Sequence, residues 1–247
     1  MYAPMVLLSL ILIPSLPVIV VYLWFRFAKY QISVFRFFIV LLGGAAAIFP
    51  ALLLQELLTV TIQNGRLAPF YEHFVRIAMT EELSRFFILL LIFLISRRIF
   101  PAEYSKLDPQ KSINKAPAIG LIAGLGFALI ETAIKAASGT GIYPLGIILT
   151  SAVHGACGSR IGSAAIVIRS NPFLAILRIL TAAAIHGIYN MLIERPGFYT
   201  LAAICIAGTA MLTAILTIIG SMSENKTADQ TQENLPIELD NKLDKSV

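Results

Sequence analysis

The chain has 247 residues, of which 57% are hydrophobic and only 13% are charged. Because a soluble globular domain carries about 25% charged residues, this composition excludes an ordinary soluble protein and indicates a protein with several membrane spans. The net charge of +5 is unevenly distributed, since residues 221–247 hold six acidic and three basic side chains. The positive charge therefore belongs to loops between apolar segments, where it is typical of cytoplasmic loops rather than of a nucleic-acid-binding surface.

Apolar segments of about 20 residues, long enough to cross a hydrocarbon core of about 30 Å, recur along the chain. The alternating pattern of barrel strands is absent from the sequence, so these segments predict helices and an all-α, polytopic transmembrane bundle. The seven predicted spans are Ala3–Trp24, Phe37–Leu58, Val75–Ser96, Ala116–Ala136, Tyr143–Ile168, Phe173–Ile193 and Phe198–Gly220.

Basic residues in the connecting segments predict the orientation of the bundle. They follow the first, third and fifth spans, at Arg26, Lys29, Arg36, Arg97, Arg98, Lys106, Lys111, Lys115 and Arg169. Because such loops stay in the cytoplasm, the N-terminus is expected outside and the C-terminus inside. We expect residues 1–220 to form a transmembrane domain in the cell membrane of a prokaryote, and residues 221–247 to form a polar, disordered tail.

Titratable side chains fall within four of the predicted spans. A charged group near the middle of a membrane helix costs about 2.5–3.5 kcal/mol, so such groups face a protein interior or a water-filled cavity. Counting from the span ends at helical rise places all of these groups in the outer half of the bundle. They are Glu81, Glu82 and Arg85 in the third span, Glu131 in the fourth, His154 in the fifth, and His186 and Asn190 in the sixth.

The spacing on the third span separates the roles of its two carboxylates. Glu81 and Glu82 are about 100° apart around a helix, so one can face a cavity while the other contacts a neighbouring helix. Arg85 follows them by four and three residues, and it can neutralise either one.

The sequence excludes some of the known types of intramembrane hydrolysis. An aspartyl dyad is excluded because Asp108, in a basic loop, is the one aspartate of residues 1–220, and the zinc motif H-E-x-x-H is absent from the sequence. What remains is a carboxylate that activates water, with histidine or asparagine stabilising the oxyanion. The same side chains could instead bind Zn²⁺, with Glu82, Glu131, His154 and His186 as ligands, and the residues leave both alternatives open.

Four short motifs carry a family resemblance. They are E-E-L-S-R at 81–85, G-F-A-L-I-E at 126–131, S-A-V-H-G at 151–155 and I-H-G-I-Y-N at 185–190. Together they resemble the PrsW family of glutamic-type intramembrane proteases, which belongs to a wider group that contains the CAAX prenyl endopeptidases. The resemblance covers residues 75–195, and glutamate at position 131, where CAAX-type relatives would have histidine, favours the PrsW branch.

The resemblance implies an enzyme that cleaves a single-span membrane protein, such as an anti-sigma-type signalling regulator, near its outer membrane boundary. Arg85 stands where lysine is common in the family, and Thr132 and Lys135 replace the usual Asn and Tyr. Carried over by motif, the catalytic residues are Glu81, Glu82, Glu131, His154, His186 and Asn190, with Arg85 and Phe127 in support.

Three other functions are compatible with the same residues. A proton- or cation-coupled transporter could use the Glu and His side chains as a relay, although the sequence shows no inverted repeat and no interrupted pair of helices. A CAAX-type prenyl-protein endopeptidase would hydrolyse a different substrate. A scaffold with an inactive protease fold would not need the glutamates.

Overall fold

The computed structural model describes residues 3–28, 30, 32–59, 65, 67–99, 109–138 and 144–243. Within these ranges the chain is helical between short turns, so the predicted all-α class is confirmed. A π-helical segment, Tyr71–Met79, joins α4 to α5. The α-helices are α1 (Ala3–Phe27), α2 (Val34–Ala46), α3 (Ile48–Leu57), α4 (Ala68–Phe70), α5 (Thr80–Ile99), α6 (Pro109–Ala137), α7 (Pro144–Val167), α8 (Pro172–Ile193) and α9 (Phe198–Leu243).

Each predicted span coincides with a helix or with a pair of consecutive helices. Among the described residues, four segments are long and apolar enough to cross a membrane: Val34–Leu57, Ile113–Ala137, Pro172–Ile193 and Phe198–Glu224. Helices α5 and α7 carry several of the polar residues singled out above, which lowers their hydropathy. A membrane bundle is therefore supported, while the count of seven spans and the orientation stay predictions.

Local sequence signals set several helix ends. The Ser33 hydroxyl accepts a hydrogen bond from the Arg36 amide at the start of α2, and the Asn171 side chain accepts one from the Leu174 amide at the start of α8. Gly197, with φ of 77°, allows the tight left-handed turn between α8 and α9. This turn places the first residues of α9 beside the last residues of α8.

Helices α6 and α7 form the centre of the bundle and pack backbone against backbone. A Cβ atom on Gly124 would lie 2.0 Å from the carbonyl oxygen of His154, and one on Gly158 would lie 2.3 Å from that of Gly120. Only glycine permits this approach. The contact sets the depth of His154 relative to α6.

The end of the chain differs from the prediction. Helix α9 continues to Leu243, where the sequence predicts a disordered tail from residue 221. The added stretch contains no glycine and ten residues of high helix propensity (Glu, Gln, Lys and Leu), although Pro236 lies within it. The division at residue 220 stays a prediction. The basic residues Lys29 and Lys106, and residues 244–247 of the tail, lie outside the described residues.

Candidate active site

Glu81 and Glu82 lie in the first turn of α5, directly after the π-helical segment Tyr71–Met79. A π-helical turn is rare and is often found at functional sites. Both carboxylates are buried, and Glu82 is completely enclosed. The predicted division of roles is present: Glu81 lines a cleft, whereas Glu82 contacts side chains of the interior.

Glu82 is held by two partners on the same oxygen. Arg85 Nη2 donates to Glu82 Oε1, and His186 Nδ1 donates to that oxygen over 2.9 Å. Arg85 is itself completely buried, its Nη1 donates to the carbonyl oxygen of His154 over 3.1 Å, and its guanidinium carbon lies 4.8 Å from the centre of the Phe127 ring. Arg85 therefore connects α5 with α6 and α7 while it balances the charge of Glu82.

Glu131 holds the other histidine in the same way. His154 Nε2 lies 2.5 Å from Glu131 Oε2, and Lys135 Nζ lies 2.6 Å from Glu131 Oε1. The Phe127 and His154 rings have centroids 5.1 Å apart, so Phe127 packs beside both His154 and Arg85. The F-x-x-x-E motif of α6 thus supplies one side chain that positions His154 and one that packs against it.

The two histidines meet between these carboxylates. Their ring centroids are 4.7 Å apart at an interplanar angle of 78°, and His186 Nε2 lies 3.7 Å from Glu81 Oε2. Glu81, His154 and His186 each present one donor atom, and the three atoms lie within 4.8 Å of one another. Among the described residues, Glu81 Oε2 and His154 Nδ1 are buried without a hydrogen-bond partner.

This donor set fits a divalent metal ion. Two imidazole nitrogens and one carboxylate oxygen are the ligands of many catalytic zinc sites, which keep a further position open for water. Each histidine also has its other ring nitrogen on a carboxylate, as metal-bound histidines usually do. The sequence predicts Glu82, Glu131, His154 and His186 as ligands. In the structure the three converging donor atoms belong to Glu81, His154 and His186, while Glu131 and Glu82 contact the other ring nitrogens of His154 and His186.

A cleft of about 330 Å³, which we call the glutamate cleft, gives access to this centre. Glu81 and Glu131 line it, together with Lys135 and Asn190. Asn190 follows His186 by one helical turn and is partly buried at the edge of the cleft. Of the residues predicted from the sequence, Glu81, Glu82, Arg85, Phe127, Glu131, His154 and His186 form one contiguous cluster, and Asn190 lies beside it.

Gln55 is a member of the site that the sequence analysis does not single out. From α3, its Nε2 donates to Glu81 Oε1 over 3.1 Å. An uncharged glutamine near the end of an apolar span resembles an ordinary interfacial residue, and the adjacent Glu56, which is exposed, carries the more conspicuous charge. The available signal is its position, because Gln55 lies about one helical turn from the predicted outer end of the second span and so at the same end of the bundle as Glu81.

The match to a known family includes all of these residues. The family described as PrsW family intramembrane metalloprotease matches residues 34–220, which is most of the chain. The chain belongs to the PrsW family. The match extends from α2 to α9 and so exceeds the motif region of residues 75–195. Comparisons with curated proteins and with solved structures both found no match.

Membership in the PrsW family relates the chain to a family of intramembrane proteases. This confirms the resemblance drawn from the four motifs and supports an intramembrane peptidase activity. The burial of Glu82, Arg85 and both histidines is compatible with such an activity, because polar groups within a membrane must be enclosed by protein.

Proposed function

We propose that this PrsW-family protein is an intramembrane endopeptidase that cleaves a single-span membrane protein near the outer membrane boundary. The observation that carries the proposal is the convergence of Glu81, His154 and His186 beside the glutamate cleft. The cleft lies at the end of the bundle where α6 and α8 end and α7 begins, which is the outer end in the predicted orientation. A regulator of the anti-sigma type, with one span and an outer segment, would present its chain at this level.

We further propose that the enzyme is of the metal-dependent type, with Glu81, His154 and His186 as the ligands of a zinc ion. When bound there, zinc would polarise a water molecule and the scissile carbonyl. Glu82 and Arg85 then orient His186, and Glu131 orients His154, so that each imidazole keeps one nitrogen for the metal. This assignment gives a partner to Glu81 Oε2 and His154 Nδ1, two of the five buried side-chain atoms without a hydrogen-bond partner among the described residues.

The side chains at the cleft divide the proton transfers of peptide hydrolysis. Glu131 accepts a proton from the attacking water, whose oxygen forms the new bond to the carbonyl carbon. The Asn190 amide donates a hydrogen bond to the carbonyl oxygen as negative charge develops there. When the C–N bond breaks, Glu131 returns the proton to the amide nitrogen, which leaves as an amine. Lys135, which lies 2.6 Å from Glu131, holds the carboxylate at the mouth of the cleft.

Cleavage in cells tests the proposal. A panel of tagged single-span membrane proteins is expressed with the wild-type protein, with Glu81→Gln, with His186→Ala, or with Glu56→Gln as a matched control on the same end of the bundle. We expect a shortened product with the wild type and the control, and a loss of about 100-fold or more in the two site variants. Full cleavage by Glu81→Gln would overturn the assignment. No cleavage by any version, together with a proton or cation flux that depends on Glu82, would favour the transporter.

A further inference from the structure

A second cleft, of about 430 Å³, opens beside the glutamate cleft at the same end of the bundle. We call it the apolar cleft because its walls are mainly hydrophobic. Four elements form it at this level: the end of α6, the first residues of α7, the last turns of α8 and the start of α9. Its main lining residues are Leu145, Ile147, Leu149, Tyr189, Ile193 and Thr200.

The two clefts are adjacent. Their common border is formed by Lys135, Asn190 and Ile193, which line both of them. A substrate whose scissile bond lies between Glu131 and Asn190 would extend across this border, since one residue of extended chain advances about 3.3–3.6 Å. The side chain next to the scissile bond would then enter the apolar cleft.

We propose that the apolar cleft selects the substrate by binding one large apolar side chain, such as Leu, Met or Phe, adjacent to the scissile bond. The inference rests on the proposed protease function and extends it to substrate choice. Burial of such a side chain strengthens binding by about 10- to 150-fold, which is enough to discriminate strongly between large and small residues. The cleft volume lies in the range of about 300–1,000 Å³ found for small-molecule sites, so a single large side chain fits within it.

Gly146 offers a way to fill this cleft without disturbing the backbone. It lines the apolar cleft in the first turn of α7, and a Cβ atom added there would meet nothing within 4 Å. A tryptophan at this position therefore has room to enter the cleft. Gly208 of α9 is a matched control, because a Cβ atom there also meets nothing within 4 Å and the residue is exposed away from both clefts.

The experiment uses a single-span reporter whose outer boundary segment is randomised, with cleavage junctions identified by mass spectrometry. For the wild type and Gly208→Trp, we expect Leu, Met or Phe to be enriched at one position beside the junction. For Gly146→Trp, we expect cleavage of these members to fall about 10-fold or more while members with Ala or Ser at that position are still cleaved. Leu145→Ala, which enlarges the cleft, should extend the preference to Trp.

The outcomes distinguish this inference from the proposed function. An unchanged preference in both Gly146→Trp and Leu145→Ala, with normal total cleavage, overturns the inference and leaves the protease standing. An equal loss for every library member in Gly146→Trp, with Leu145→Ala unaltered, also overturns it, because a side-chain pocket must discriminate by size. A wild type that cleaves no member contradicts the protease function itself and the inference with it.

Discussion

At the scale of single residues, the site is a chain of charge pairs buried in an apolar bundle. Arg85 and Glu82 are both completely enclosed, and their pairing is acceptable only because each offsets the charge of the other. The guanidinium also donates to the His154 carbonyl and lies over Phe127, and the compact lysine ammonium lacks the planar fork that makes these contacts and the Glu82 ion pair at the same time. The identity of Arg85, and not only its charge, therefore matters to the geometry of the centre.

Substitutions of Arg85 test this role. Arg85→Met leaves Glu82 buried without its cation and should destabilise the protein by about 3–5 kcal/mol, measured as unfolding in detergent. Arg85→Lys should recover part of this stability but keep reduced cleavage, since it loses the contacts to α6 and α7. Arg195→Met is the control, because Arg195 is exposed at the end of α8. Wild-type stability in Arg85→Met would contradict the buried pair.

Gln55 is predicted to position Glu81 without taking part in the chemistry. Gln55→Leu removes the hydrogen bond to Glu81 Oε1, and we expect zinc affinity to fall about 10- to 100-fold, as for other residues that orient metal ligands. Competition with a chelator of known affinity measures this change independently of cleavage. Gln55→Glu adds a carboxylate next to Glu81 and should also lower the zinc affinity. Glu56→Gln should leave the affinity unchanged. Equal affinities for Gln55→Leu and the wild type would exclude the positioning role.

At the scale of elements, the close packing of α6 and α7 determines where His154 meets Glu131. The Gly124 Cα lies against the His154 carbonyl, so any side chain at position 124 must push the two helices apart. In the sequence, Gly120 and Gly124 on α6, and Gly158 and Gly162 on α7, are four residues apart, a spacing typical of close helix contacts. The pairing of each carboxylate with its histidine was not predictable in this way, because it depends on how each helix is rotated about its axis.

Gly124→Ala tests the coupling between this packing and the site. A Cβ atom there would lie 2.0 Å from the His154 carbonyl oxygen, and overpacking of this kind costs about 1–3 kcal/mol. We expect lower stability and a disproportionate loss of cleavage, because His154 moves relative to Glu131. Gly208→Ala, at an open position on α9, should change neither. If Gly124→Ala keeps full activity, helix separation does not control the site.

Several elements show where prediction from the sequence ends. Long apolar segments predicted all seven regions of helix, since length and composition suffice for that. The π-helical segment Tyr71–Met79 was not predicted, because its residues are as compatible with an α-helix and its geometry depends on packing against α8. The predicted ligand set includes Glu82 and Glu131, whereas the carboxylate that converges with the histidines is Glu81. The reason is the same: the sequence identifies the carboxylates, but the rotation of each helix about its axis decides which one faces the histidines.

At the scale of the whole molecule, the functional groups occupy one end of a helical bundle. Both clefts open where α6 and α8 end, and the family match covers residues 34–220. The segment after residue 220 is outside the family match, and none of the contacts described above for the site involves it. The bundle up to residue 220 is therefore expected to contain all parts needed for hydrolysis.

Removal of residues 221–247 tests this division of the chain. We expect the truncated protein to cleave the reporter within about 2-fold of the full-length rate, because the described residues that line the two clefts all precede residue 221. Membrane abundance of both forms is quantified in parallel, so that the rate is expressed per molecule. A loss of more than 10-fold per molecule would show that the tail contributes to the activity.

The most direct test of the central claim is cleavage by the purified protein in detergent, measured together with its zinc content. We expect about one zinc ion per wild-type chain, loss of cleavage after chelation, and recovery when zinc is restored. Glu81→Gln should bind less zinc and cleave less, while Glu56→Gln should match the wild type. Full cleavage by a wild-type protein shown to be free of metal would contradict the assignment of Glu81, His154 and His186 as a hydrolytic metal centre.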